Sequence, residues 1–137
     1  MLKLFGGSVE LKVDRELIDC STLRPIPDNQ EVFLTKTDKE CLIVELLECI
    51  NDKDPIDFYL KDLQEQGDLL NVELLLSCTG QTQGFKLYKN IDLLVYLGFK
   101  RIESCDVFIQ FFTFTKLDFD GMLNSLKICN KNLFSEI

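Results

Sequence analysis

The groups in this chain that could do chemistry are carboxylates and thiols: it has 23 acidic residues, six cysteines and no histidine. Without an imidazole, Ser-His-Asp and Cys-His nucleophilic catalysis is excluded. Asp28 and Glu31 are close enough to suggest a pair sharing acid and base duties, as in glycoside hydrolysis. No companion motif accompanies them. The sequence has no Walker loop, no G-x-G-x-x-G and no G-x-S-x-G. The two acids are therefore read as charges of a polar turn, and the chain as a non-enzyme.

The thiols point to no site either. Cys20, Cys41, Cys49, Cys78, Cys105 and Cys129 fall mostly in apolar periodic segments such as "ECLIVELLECI", with no Cys-x-x-Cys. Reduced and mostly buried cysteines are expected, since a zinc site would need four scattered residues to converge. "DKDPID" has the acids of a calcium loop, but it lacks the glycine and carries a proline in its middle. No metal or cofactor is expected.

One carboxylate is out of place. Glu45 interrupts "LIVELL", a run apolar enough to be buried on both faces. An ionised glutamate there needs a partner. Arg24, a lone base among apolar residues and prolines, is one candidate; the other reading puts Glu45 at a solvent-exposed strand end.

Charge is distributed unevenly. Net charge is −8, and residues 14–68 hold 15 acids against 6 bases, a net −9, which leaves +1 for the rest. Such a surface repels nucleic acid and anionic membrane and attracts a basic protein. It also serves as an ordinary solubilising face. No apolar run approaches the ~20 residues of a membrane span. "MLKLFGG" is too short for a signal peptide, so a nuclear and cytoplasmic location is expected.

These residues need elements to hold them. "GGSVELKV" (6–13) alternates Val9, Leu11 and Val13 with polar residues, as a half-buried strand does. Residues 14–29 read as a loop or short helical turn, stiffened by Pro25 and Pro27. Strand 30–36 follows, with Glu31 and Phe33 on one face and Val32 and Leu34 on the other, and 41–50 is its hairpin partner. Asp54 and Pro55 start a helix whose stripe is Ile56, Tyr59, Leu60 and Leu63 and whose stop is Gly67. Strands are expected over 69–78, 85–101 and 105–115, and a helix over 118–130. The sum is an α+β sandwich: one mostly antiparallel sheet of about six strands with helices packed on it, a single domain over 1–137, and a monomer.

"LFGGS", "IDCSTLRPIPDNQEVF" and "LIVELLE", in this order and spacing, resemble the Mog family of Ran-binding proteins, also described as Ran guanine-nucleotide-release factors. Its pattern is roughly L-[FY]-G-G-[AS], then D-x-S-x-L-R-x-[VI]-P-D-x-Q-E-V-[FY], then [IL]-[IV]-V-[DE]-L-L-E. Beyond residue 50 the likeness is one of layout, with shorter loops than family members usually have. The resemblance implies an α/β sandwich shared with the PsbP proteins of photosynthesis. It implies that the chain binds the GTPase Ran, promotes release of its guanine nucleotide and supports nuclear import. Asp28 and Glu31 are then the expected contacts, with Arg24, Asn29 and Gln30 beside them and Asp19 and Asp14 as steering charges. The alternative is a PsbP-like interaction module for another basic protein.

Overall fold

The computed structural model describes residues 1–20, 29–37, 39–50 and 55–130. Its elements in chain order are β1 (Leu2–Leu4), β2 (Val9–Leu11), β3 (Ile18–Asp19), β4 (Gln30–Leu34), β5 (Cys41–Glu48), α1 (Pro55–Glu65), β6 (Glu73–Thr79), β7 (Gln83–Asn90), β8 (Leu93–Ile102), β9 (Cys105–Thr113), α2 (Phe119–Ser125) and β10 (Lys127–Ile128). The main sheet is antiparallel and seven-stranded, in the order β3-β4-β5-β9-β8-β7-β6. A second, three-stranded sheet, β1-β2-β10, stands apart from it.

Alternation along the strands sends side chains to two cores. Leu42, Val44, Leu46, Val107, Ile109 and Phe111 point to one face, where they meet Leu4, Val9 and Leu11 of the small sheet and Phe119, Met122 and Leu123 of α2. Val95, Leu97, Phe99 and Phe108 point to the other, under Ile56 and Tyr59 of α1. The domain is thus a sandwich with the sheet in the middle.

Two expected elements are drawn differently by the structure. The single strand expected over 85–101 is two, β7 and β8, joined by a tight turn with Asn90 paired to Leu93. Ile91 sits at φ 57° in that turn, 82% exposed, a conformation a β-branched residue rarely takes. The helix expected over 118–130 ends at Ser125, because Leu126 turns extended. Lys127 and Ile128 then pair with Glu10 and Val9. The stripe of α1 is as expected, with Leu60 and Leu63 partly buried beside Ile56 and Tyr59. Its proposed cap, Asp54, lies outside the described residues.

None of the six cysteines is in a disulfide, and fewer are buried than the sequence suggests: Cys20 and Cys105 are buried, while Cys78 and Cys129 are exposed. Cys78 lies on the edge strand β6, every residue of which is exposed, and Cys129 lies past the end of α2.

Gly98 in the middle of β8 marks a close approach. Phe119 lies across it, stacked on Tyr96 at 5.2 Å and 8° and tilted against Phe85 at 5.2 Å. A Cβ on Gly98 would come within 2.8 Å of Phe119 Cζ. The ring is buried and cannot swing away. Gly98→Ala is therefore expected to cost ~1–3 kcal/mol by overpacking, read as a lower urea midpoint; an unchanged midpoint would show that α2 shifts freely.

Candidate functional site

The acidic end of the molecule is the β3–β4–β5 edge, toward which α1 runs from its seat over β8 until Asp62 comes near Glu45. Asn29 is locked to β5 twice: its side-chain Nδ2 donates to Leu46 O at 2.9 Å, and its own carbonyl accepts from Leu46 N at 2.8 Å. That fixes the register in which Gln30 stands opposite Glu45 and Glu31 opposite Val44. Cys20 N donates to Val32 O at 2.8 Å and ties β3 to the same strand.

The two faces of this hairpin do different things. Glu31 shares its face with Phe33 and looks toward the small sheet. Its carboxylate accepts the backbone N–H of Phe5. Phe5, Gly6 and Gly7 all have left-handed backbones, at φ 52°, 67° and 88°, so the diglycine makes a turn that other residues resist. The "LFGG" and "QEVF" stretches thus meet physically, through one carboxylate. Burial pushes the Glu31 carboxyl above its ordinary range; the Phe5 N–H pulls it down and the nearby Asp19 pushes it up, less strongly. Sequence reasoning put Glu31 forward as a displayed charge, whereas the structure makes it a half-buried clamp.

Glu45 lies on the opposite face, between Gln30 on β4 and Phe108 on β9. Burial raises its pKa first, and Asp62 on α1 adds like-charge repulsion. Among the described residues no lysine or arginine is paired with it. Asp62 is exposed and accepts from Gln66 Nε2 at 3.2 Å. Phe58, one helical turn earlier, is an exposed aromatic at 51%. Glu48 is exposed at the end of β5.

What holds Asp62 beside Glu45 is the seat of α1. Tyr59 Oη donates to Asp106 Oδ2 at 2.5 Å, and Asp106 is fully buried. Arg101 grips the same carboxylate with Nε at 2.9 Å and Nη2 at 3.2 Å, and donates to Ile50 O at 3.2 Å. Burial, followed by the bond to Asp106, drives the Tyr59 phenol far up; the bond to Asp106 raises Arg101. At the start of the helix, the nearly buried Lys86 reaches Asp57 at 2.8 Å.

The remaining sequence-suggested residues scatter. Asp19 is exposed on the edge strand β3. Asp14 is fully exposed, 3.7 Å from the Arg15 guanidinium, at the rim of a cavity of ≈ 440 Å³ floored by Phe111, Leu117 and Met122. Asp28 and Arg24 lie outside the described residues, and with Arg24 the suggested Arg24–Glu45 pair. Asp62 was missed: nothing in the sequence links it to Glu45 except a helix that crosses the sheet and brings its second turn near β5. Among the described residues no cluster of His, Cys, Asp or Glu could hold a metal, and no helix is long and apolar enough to cross a membrane.

Residues 2–109 match the family described as Ran-interacting Mog1 protein. A human protein named Ran guanine nucleotide release factor is 53% identical over 45 residues, 33% of this chain and 24% of that protein. Nuclear import protein MOG1 of Saccharomyces cerevisiae is 33% identical over 99 residues, 62% of this chain and 45% of that protein. The matched segments span less than half the length of these relatives. In fold, the chain superposes on the crystal structure of the S. cerevisiae Ran-binding protein Mog1p with a TM-score of 0.80 at 20% identity, over 96% of each chain. A cyanobacterial PsbP from Synechocystis follows at 0.51 and 14% identity, over 88% of this chain and 92% of that one. By the family match over most of its length, the chain belongs to the Ran-interacting Mog1 proteins.

Proposed function

We propose that this protein binds the small GTPase Ran and promotes release of its guanine nucleotide, in support of nuclear import. Family membership and the names of its relatives support the partner. The observation that carries the docking site is Glu45: a half-buried carboxylate, raised by burial and by Asp62, with no described cation beside it. A lysine or arginine of a basic partner would complete that face and relieve both penalties at once. Gln30 borders it, and Asp19, Asp14 and Asp28 add to the acidic charge that steers encounter at longer range. Asn29 and Glu31 position the hairpin, and Arg24 belongs to the same motif.

Release then follows by linkage. A partner bound more tightly in its open, nucleotide-free form loses nucleotide affinity by the same factor. A tenfold loss needs only ~1.4 kcal/mol of differential binding, within reach of one charge-assisted contact available only in the open state. No covalent step is involved. The test is Ran loaded with a fluorescent guanine nucleotide. Adding this protein should speed loss of the label, and rising salt should weaken the effect. Unchanged release at concentrations where calorimetry shows binding would limit the protein to Ran binding; absence of binding would overturn the proposal.

A further inference from the structure

The opposite edge of the sheet has features the Ran reading does not use. Strand β6 is seven residues long and exposed at every one of them. Among the described residues it is paired on one side only, to β7, so no described strand takes up its outer row of backbone N–H and C=O groups. Leu74, Leu75 and Leu76 are 51%, 44% and 47% exposed, and Leu70 and Ile91 near the strand's start are 61% and 82% exposed. Natural sheets guard such an edge with lysine, proline, a bulge or a covering element. Here "ELLLSCT" has no lysine and no proline. Among the described residues its guard is a register shift between Leu74 and Leu76, and it leaves three consecutive leucines exposed. The helices sit elsewhere, α1 over β8 and α2 over β7 and β8.

We propose that β6 is a self-association edge, at which a second copy of this chain pairs antiparallel with it and joins two seven-stranded sheets into one. Two observations favour a second copy as the occupant. The first is charge. The chain carries −8, yet residues 69–104, which hold β6, β7 and β8, have three acids and four bases. Most of the described acids of residues 14–68 lie on or around β3, β4 and β5, toward the far edge of the sheet, while α1 crosses the sheet over β8 with its first-turn Asp57 paired to Lys86 of β7. Two copies approaching through β6 therefore meet less repulsion than they would through the acidic β3–β4–β5 edge. The second is register. A two-fold axis at Leu76 overlaps all seven residues and sets Glu73 opposite Thr79. The strand's only charge then meets a neutral partner, and Glu73 keeps its neighbour Lys89 on β7. Such a contact is isologous and closes at two copies. It leaves the acidic face of each copy free at opposite ends of the joined sheet, so the dimer presents two docking faces.

Sedimentation velocity over a rising concentration series tests this, with hydrogen exchange on the same samples. The expected result is a shift from one chain's mass to two, with amide exchange in Glu73–Thr79 slowing as concentration rises and exchange in β3 unchanged. Leu74→Lys with Leu76→Lys should keep the circular dichroism of the parent and stay monomeric. Both leucines are exposed, so folding does not depend on them, and the exchange arm needs no variant. A single-chain mass throughout would overturn the proposal. So would a dimer whose protection falls outside β6, or one that survives the double substitution. A β6 protected only when another protein is added would identify the edge as a site for a foreign strand and overturn self-association.

Discussion

Asp106→Ala is expected to lower the stability of this protein by ~3–5 kcal/mol, the cost of removing one member of a buried, hydrogen-bonded ion pair. The loss has three parts. Arg101 keeps its bond to Ile50 O but loses both carboxylate contacts. Tyr59 keeps a buried hydroxyl with no acceptor. A void opens where a fully buried side chain stood. Tyr59→Phe removes a single hydrogen bond while Arg101 still satisfies the carboxylate, so its cost should be nearer ~1 kcal/mol. Urea midpoints of the two variants compare the effects directly. Equal midpoints would mean that Arg101 adds nothing to the network. The consequence reaches function, because Tyr59 seats α1 and Asp62 follows it by one turn. A loosened α1 no longer holds Asp62 beside Glu45.

Much of this arrangement is legible in the sequence, and the misses share a physical cause. Alternation placed Glu31 with Phe33 and Val32 with Leu34, and the faces of β4 follow it. The apolar run around Glu45 marked that residue before any partner was visible. What the alternation could not supply was the partner from elsewhere in the chain. Glu31 meets a backbone amide 26 residues away in sequence, and Glu45 meets Asp62 only because a helix packs on the sheet. The same holds for the two misdrawn elements. Leu126 and Cys129 continue the helical period of α2, yet the backbone leaves the helix to pair with β2, more than a hundred residues earlier. Asn90 and Asp92 are turn formers, but Ile91 between them is a strand former forced to φ 57° by the pairing on either side. Local propensity lost to register in both places. Val9 and Leu11 kept their alternation, but it packs them from a separate small sheet rather than within the main one.

Glu45→Gln is expected to raise the melting temperature and weaken Ran binding by at least tenfold, or ~1.4 kcal/mol. The stability effect follows from the sign of the pKa shift. Burial and Asp62 hold the folded-state pKa of Glu45 above its unfolded value. Its ionised form is therefore disfavoured in the fold, and this penalty is fully present at neutral pH. As pH falls through the folded value the carboxyl takes up a proton and the penalty disappears. Glutamine has no such titration. The gain in melting temperature should thus be largest near neutrality and fade below the ordinary carboxylate range. Asp62 should matter less for stability, because it is exposed. Binding moves the other way, since a neutral amide offers an incoming lysine or arginine a far weaker contact than a carboxylate does. A residue whose loss steadies the fold and weakens the partner is one kept at the expense of stability. Glu45→Asp, which retains the charge, should bind better than Glu45→Gln. Two melting curves and two titrations decide it. A glutamine variant that melts lower than the parent would make Glu45 part of the fold's support. One that melts higher and still binds Ran like the parent would move the docking face away from β5.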